Sequence, residues 1–222
     1  MYDVTLICTV HKERGKCTSE ELCKIIERIN PEIIFEEIHP KRFDAYYKNQ
    51  SVATLETTAI IQYSQNHQIE HIPVDYYEVP DMLQFYKNVD ALNENICNVS
   101  EEYCLLSELR DSLVNRNGFK YLNSAKCEKL SERLALLEEN VTNYLNDESL
   151  SYISKIWKGF NDKREIEILK NIYNYSIAHR YNKAILIIGA EHRKSIIAKI
   201  QEYEKNGGLS LNWNYSNYDS IL

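Results

Sequence analysis

Basic charge is in deficit: 26 Lys and Arg stand against 33 Asp and Glu, which leaves a net charge of −7 and a pI of about 5.5. A duplex nucleic acid needs a basic face, so nucleic acid is not an expected partner. The opening MYDVTLICTV followed by His11, Lys12 and Glu13 lacks a basic leader, and its apolar stretch is too short for a signal peptide or membrane span. No membrane association is expected, and the cytoplasm is the expected location. The six cysteines include no C-x-x-C pair, and a chain of this size needs no disulfide staples. Reduced thiols, mostly buried as small apolar residues, are therefore expected. There is no internal repeat and no low-complexity segment, and the scarcity of Gly (6) and Pro (4) carries no functional meaning by itself.

What is present is an alternation of strand and helix signals in a length, 222 residues, that fits one domain of generous size or one with a large insertion. Val4-Thr5-Leu6-Ile7-Cys8-Thr9 is a short β-prone run that stops at polar residues, as a buried parallel strand does. Thr18 with Glu21 makes a capping box, and Leu22, Ile25, Ile26 and Ile29 follow at helical spacing. Asn30-Pro31 ends that helix, and Ile33-Ile34-Phe35 opens a second strand that runs into Glu36-Glu37. A helix over roughly Val52 to Gln65 carries Leu55, Ala59, Ile60 and Tyr63 on one side, and a third strand, Ile69 to Val74, ends at Asp75.

From Pro80 to Tyr181 the pattern becomes long polar segments with apolar residues at helical intervals, which predicts a helical insertion. Leu105, Leu106, Leu109 and Leu113 form one stripe, and Leu130, Leu134, Leu137 and Val141 another. Asn161 or Asp162 is expected to cap a further helix carrying Ile166, Ile168, Leu169, Ile172 and Tyr173. Ala184-Ile185-Leu186-Ile187-Ile188 leaves no solvent face and belongs at the centre of a sheet. It ends in Gly189-Ala190-Glu191-His192. A last helix, Lys194 to Tyr203, stops at Asn206-Gly207-Gly208, and Leu209 to Trp213 alternates like an edge strand.

This order predicts an α/β fold, a parallel-rich sheet flanked by helices with the insertion before the last core strand. Ligands of such sheets bind beyond the carboxyl ends of the strands. Four predicted ends carry polar groups: His11 after the first, Glu36 and Glu37 at the second, Asp75 at the third, Glu191 and His192 at the most apolar one.

Cys8-Thr9-Val10-His11 and Gly189-Ala190-Glu191-His192 resemble the paired G-x-x-H motifs of the superfamily that contains TraB-type proteins, Tiki metalloproteases, erythromycin esterases and ChaN-type haem-binding proteins, with Cys8 in place of the first glycine. Pro31 to Ile38 is similar to the stretch that carries the family glutamate, which places it at Glu37. Glu56 with Ala59, then Ile72-Pro73-Val74-Asp75, look like the helix and aspartate-tipped strand that follow. Arg164 resembles the arginine of the helix before the final motif. The likeness covers roughly residues 4 to 80 and 160 to 200. It implies an α/β fold and, in several branches, a divalent-metal or His/Glu-based hydrolase, while other branches only bind.

His11, His192 and Glu37 together offer two imidazoles and a carboxylate, a workable open site for Mn, Co, Fe or Zn, with Glu191 a further candidate ligand. The alternative is that each histidine only hydrogen-bonds a strand end. Glu36 and Glu37 are both candidate acids, but alternation along a strand turns only one toward the site, and Glu37 is the choice. Burial against the apolar run should raise a pKa there, as a general base requires. Asp75 is expected to orient a histidine or cap a helix, and Arg164 to pair with substrate or with Glu37, or to sit on a helix face beside Asp162 and Glu165. His39, Lys41 and Arg42 follow in a loop marked by Pro40, either solvated or binding an anionic part of a substrate. His67-Gln68-Ile69-Glu70-His71 matches the inverted zinc-peptidase pattern, but in an extended segment its histidines lie about 13 Å apart and cannot share an ion.

The expected function is a metal-assisted hydrolase of a peptide, ester or similar bond, acting on a small molecule or peptide. His11, Glu37 and His192 would activate water, Arg164 would stabilise the oxyanion, and Asp75 and Glu191 would support the histidines. Two alternatives remain: a non-catalytic protein that binds a small ligand or haem in the same cleft, and an interaction module that engages a protein partner or a second copy through the insertion.

Overall fold

Five consecutive aliphatic residues demand cover on both faces, and the chain supplies it. The computed structural model describes residues 2–76, 82–205, 209–215 and 218, the side chains of Met82 and Leu83 apart. Its sheet contains β1 (Asp3–Thr9), β2 (Ile33–Glu36), β3 (Glu70–Pro73), β4 (Lys183–Gly189) and β5 (Asn212–Asn214), all parallel, in the order β3-β2-β4-β1-β5. The aliphatic strand β4 is central, and the short β5 is at the edge. Ile185 and Ile187 pack with Leu22, Ile25 and Ile26 of α1 (Ser19–Ile29) and with Ile60 and Tyr63 of α3 (Leu55–Ser64). Ala184, Leu186 and Ile188 face the other way, toward Ile168 and Ile172 of α8 (Glu148–Ala178) and Ile196 and Ile200 of α9 (Arg193–Lys205). The result is an α/β fold with helices on both faces of the sheet.

After β2, a single 3-10 turn at Pro40–Arg42 leads into the short α2 (Phe43–Tyr47). Between β3 and β4 lie α4 (Met82–Val99), α5 (Glu101–Asn117), α6 (Phe119–Leu122), α7 (Ala125–Leu145) and α8, with no strand among the described residues there. The expected insertion start at Pro80 and the expected stop at Asn206-Gly207-Gly208 lie outside the described residues. Among the described residues no helix is long and apolar enough to cross a membrane.

Three local expectations need correction. No helix begins at Asn161 or Asp162: α8 runs unbroken for 31 residues from its cap at Asp147, whose carboxylate accepts the Ser149 and Leu150 N–H groups. Asn161 and Asp162 instead accept from Arg164 and Lys199, side-chain partners that free them from capping. On α5 Val114 is buried in the core and Leu113 packs against it, while Leu105 and Leu109 are exposed, so the leucine stripe is packed only at its Leu113 end. Finally, Cys97 and Cys104 form a disulfide across the α4–α5 junction, where the helix break at Ser100 brings their Cα atoms to 5.1 Å. The other four cysteines are free, three of them buried.

One contact ties the insertion to the sheet. β5 covers β1 only at Asp3, Val4 and Thr5, which leaves the backbone of Cys8 bare on that edge. Asn123, just after α6, fills the gap as a strand would: its Oδ1 accepts the Cys8 N–H at 2.7 Å and its Nδ2 donates to the Cys8 carbonyl at 3.0 Å. The segment that carries His11 is thereby anchored from the insertion side.

Candidate functional site

The last residue of β4 is the one around which the site closes. A Cβ at Gly189 would lie 3.4 Å from Glu37 Oε2, 3.7 Å from His11 Nε2 and 3.7 Å from His192 Cδ2. The glycine thus leaves room for three side chains from three strand ends to converge. Glu37 follows β2 and still donates its N–H to the Ile187 carbonyl, so its backbone is held by the central strand. Its Oε1 accepts from Arg164 Nη2 at 2.5 Å and lies 3.3 Å from His192 Nε2; its Oε2 accepts the Gly189 N–H at 2.6 Å. Burial alone would raise the Glu37 pKa, but His192, then Arg164 and His11, outweigh it and hold the carboxyl well below its ordinary range.

Each histidine is fixed through Nδ1 by its own carboxylate. His192, buried in the short 3-10 turn Ala190–His192, places Nδ1 2.7 Å from Glu165 Oε1 on α8. Glu165 Oε2 is in turn held by Ser195 at 2.5 Å and Lys199 at 2.8 Å on α9. Burial works against the His192 charge, yet Glu37 and Glu165 prevail and push its pKa up to about 10. His11 Nδ1 lies 3.1 Å from Glu56 Oε1 on α3, an oxygen that also accepts the Thr9 hydroxyl at 2.6 Å. The hydrogen bond to Glu56 raises His11 to about 9 against the effect of burial. Its side chain is 59% exposed, so His11 is the member of the trio that a ligand reaches first.

The expected trio His11, Glu37 and His192 is thus brought together, but the supporting cast differs. Asp75 orients no histidine: both its oxygens receive Arg164, Nε at 3.1 Å and Nη2 at 2.8 Å, a planar fork suited to a carboxylate. Arg164 is buried between Asp75 and Glu37, so it locks a carboxylate in place rather than waiting for an oxyanion. Glu191 is 69% exposed and lies 3.6 Å from Arg110, at the larger cavity's edge rather than on either histidine's Nδ1.

Glu36 lines the same side of the strand ends as Glu37 but has partners of its own, with His71 Nδ1 2.8 Å from its Oε1 and the Tyr47 hydroxyl donating to its Oε2. The expected raised acid is Glu36, driven up by burial, and not Glu37. His67 stacks on Tyr63 and His71 serves Glu36, so the zinc-peptidase pattern has separate structural partners. His39 Nδ1 caps the Lys41 N–H, and Lys41 is exposed.

Glu165 and Glu56 are the residues sequence reasoning missed as histidine partners. Each is a charge on an otherwise apolar helical stripe: Glu165 is in phase with Ile168, Leu169 and Ile172, and Glu56 with Ala59, Ile60 and Tyr63. A carboxylate on a buried stripe needs a partner, and that phase is the signal.

Two imidazoles with carboxylate-bonded Nδ1 atoms have the tautomer control seen behind metal ligands. The donor set as arranged nevertheless does not fit an ion. Both oxygens of Glu37 are already engaged by donors, Arg164 and His192 on one and the Gly189 N–H on the other. Among the described residues no group of three or more His, Cys, Asp or Glu is disposed to hold a metal.

Two cavities open at His11 and Glu37, and the larger also reaches His192. The smaller, about 260 Å³, lies between the strand ends and the Pro40–Tyr47 segment and is lined by His39, Arg42, Tyr46 and Glu56. The larger, about 480 Å³, lies under the insertion and is lined by residues of α4 to α8 as well as His11, Glu37 and His192. Set against known protein families, curated proteins and solved structures, the chain matches none of them.

Proposed function

We propose that this cleft is a hydrolase site that works by acid–base catalysis on an ester, peptide or similar bond, with His11 as the proton-transfer group. The observation that supports it is the convergence at Gly189 of two histidines, each oriented by a buried carboxylate, on the third carboxylate Glu37. With Nδ1 tied to Glu56, His11 presents Nε2 to the cleft. Neutral His11 accepts a proton at Nε2 from a water as its oxygen attacks the carbonyl carbon. The imidazolium then returns that proton to the leaving oxygen or nitrogen as its bond to carbon breaks. Glu37 stays ionised throughout, clamped by Arg164, His192 and the Gly189 N–H, and stabilises the imidazolium on His11. This reading keeps the hydrolase that the family resemblance implies and omits the metal.

The test compares two neutralising changes on 4-nitrophenyl acetate. Glu37→Gln keeps the shape and removes the charge, so kcat/KM should fall by about 100-fold or more. Glu36 is bonded to His71 and Tyr47 rather than to the trio, and burial pushes its pKa up, so the loss in Glu36→Gln should stay within about threefold. An equal loss would mean that the pair acts jointly, a loss only in Glu36→Gln would make Glu36 the site acid, and no loss in either would favour a binding protein. Metal analysis of untagged protein accompanies the kinetics. About one equivalent of Mn, Co, Fe or Zn, lost in His11→Ala, would replace this reading with the metal-assisted one.

The pH profile provides a second check. Because His11 must be neutral to accept the proton, kcat/KM should rise with pH through a limb near 9. Glu56 is the leading cause of that elevation, so Glu56→Gln should move the limb down toward the ordinary histidine value of 6.5. A limb that stays put in Glu56→Gln would remove His11 from the base role.

A further inference from the structure

We infer that the cavity under the insertion is a pocket for a neutral, apolar group of the substrate, held beside the bond that His11 and Glu37 address. The bond itself rests on the hydrolase reading; the pocket does not. At about 480 Å³ the cavity falls within the ~300–1,000 Å³ typical of small-molecule sites. Strand ends supply its polar floor, and the insertion supplies an apolar wall of Tyr86, Val114, Leu122, Cys127 and Trp157. That wall is braced from behind: the Trp157 ring lies 5.7 Å from Phe85 and 6.1 Å from Phe160, centroid to centroid. Braced aromatic rings favour a flat or branched apolar group over a flexible polar one.

Charge matching at the mouth argues for neutrality. Arg14 pairs with Asp111 at 3.0 Å, Arg110 with Glu191 at 3.6 Å, and Arg164 is committed to Asp75 and Glu37. Lys12 stands exposed at the rim. A charged group pushed against Val114, Leu122 and Trp157 would lose its hydration, and the buried cations of the cavity, Arg164 and His192, are already paired with Asp75, Glu37 and Glu165. An apolar group loses nothing of that kind and gains burial. The insertion, which through Arg164 and Glu165 of α8 also holds Glu37 and His192, thereby becomes the element that sets specificity.

The test uses the full chain carrying Trp213→Phe, which leaves Trp157 as the only tryptophan. Its emission should change saturably with benzyl alcohol, respond about tenfold more weakly to benzoate, which has the same ring with a charge, and ignore glycerol. Tyr86→Asp, at a residue 43% exposed and so tolerant of substitution, should weaken the benzyl alcohol response by about tenfold. A non-saturating response, or one as strong with glycerol or benzoate, overturns the pocket. The catalytic arm runs 4-nitrophenyl esters from acetate to butanoate: each added methylene should raise kcat/KM about fourfold, and Trp157→Ala should flatten that slope. If benzyl alcohol saturates while no ester is hydrolysed, the acid–base reading falls and the pocket stands. If esters are hydrolysed without chain-length preference and benzyl alcohol does not saturate, the pocket falls and the acid–base reading stands.

Discussion

Ile187→Asp is expected to leave no folded protein in solution. Ile187 is 2% exposed in the middle of the central strand, in register with Ile7 of β1 and Glu36 of β2. Its side chain belongs to the cluster formed by α1, α3 and Ile185. Loss of the buried isoleucine costs roughly 1.5–3 kcal/mol, and an unpaired buried carboxylate costs several more. Those amounts approach the ~5–15 kcal/mol by which a domain is stable at all. The control is Ile177→Asp, at a position 69% exposed on α8, which should express and fold normally. Soluble yield and far-ultraviolet circular dichroism decide: native helix content in Ile187→Asp would remove Ile187 from the sheet centre.

The same strand shows which features can be read from a sequence and which cannot. β4 was legible because an all-aliphatic run has only one stable placement in a sheet, the centre, and a strand so placed must deliver its next residues to the ligand end. Glu37 was legible for a related reason, since a polar group at the end of an apolar run needs a partner, whereas Arg164 was singled out only by the family resemblance. The pairings were not legible. Nothing local says that Glu165 meets His192 or that Asp75 meets Arg164, because those contacts depend on how α8 lies across the sheet. The single long α8 was missed because Asn161 and Asp162 look like caps when their partners, Arg164 and Lys199, are unknown. Asn123 was invisible for the same reason: a side chain that completes a strand edge carries no periodic signal.

Arg164→Leu should be the most destabilising change at the site that still leaves a sheet to measure. The guanidinium sits between Asp75 and Glu37, all three nearly inaccessible, and forms three hydrogen bonds to their carboxylates. Removing one partner of such a buried network strands the others and costs about 3–5 kcal/mol, more than the intact network contributes over an apolar equivalent. Urea unfolding at neutral pH should report that loss as a lower midpoint at an unchanged slope. The double variant Arg164→Leu with Asp75→Leu, which removes one stranded carboxylate and leaves His192 to hold Glu37, should recover part of it.

The pH dependence has a definite sign. Glu37 has a folded pKa held below the ordinary 4.5, against burial, by His192 first and then by Arg164 and His11. Its contribution to stability is therefore present above about 4.5 and is lost as pH falls through the folded value. Without the guanidinium the folded pKa of Glu37 moves up, and the variant takes up its proton sooner on acidification. The gap between wild type and Arg164→Leu should accordingly be widest from pH 6 to pH 8 and narrow below about pH 5. A gap under about 0.5 kcal/mol at neutral pH, or one that widens on acidification, would show that Arg164 does not carry the charge of Glu37.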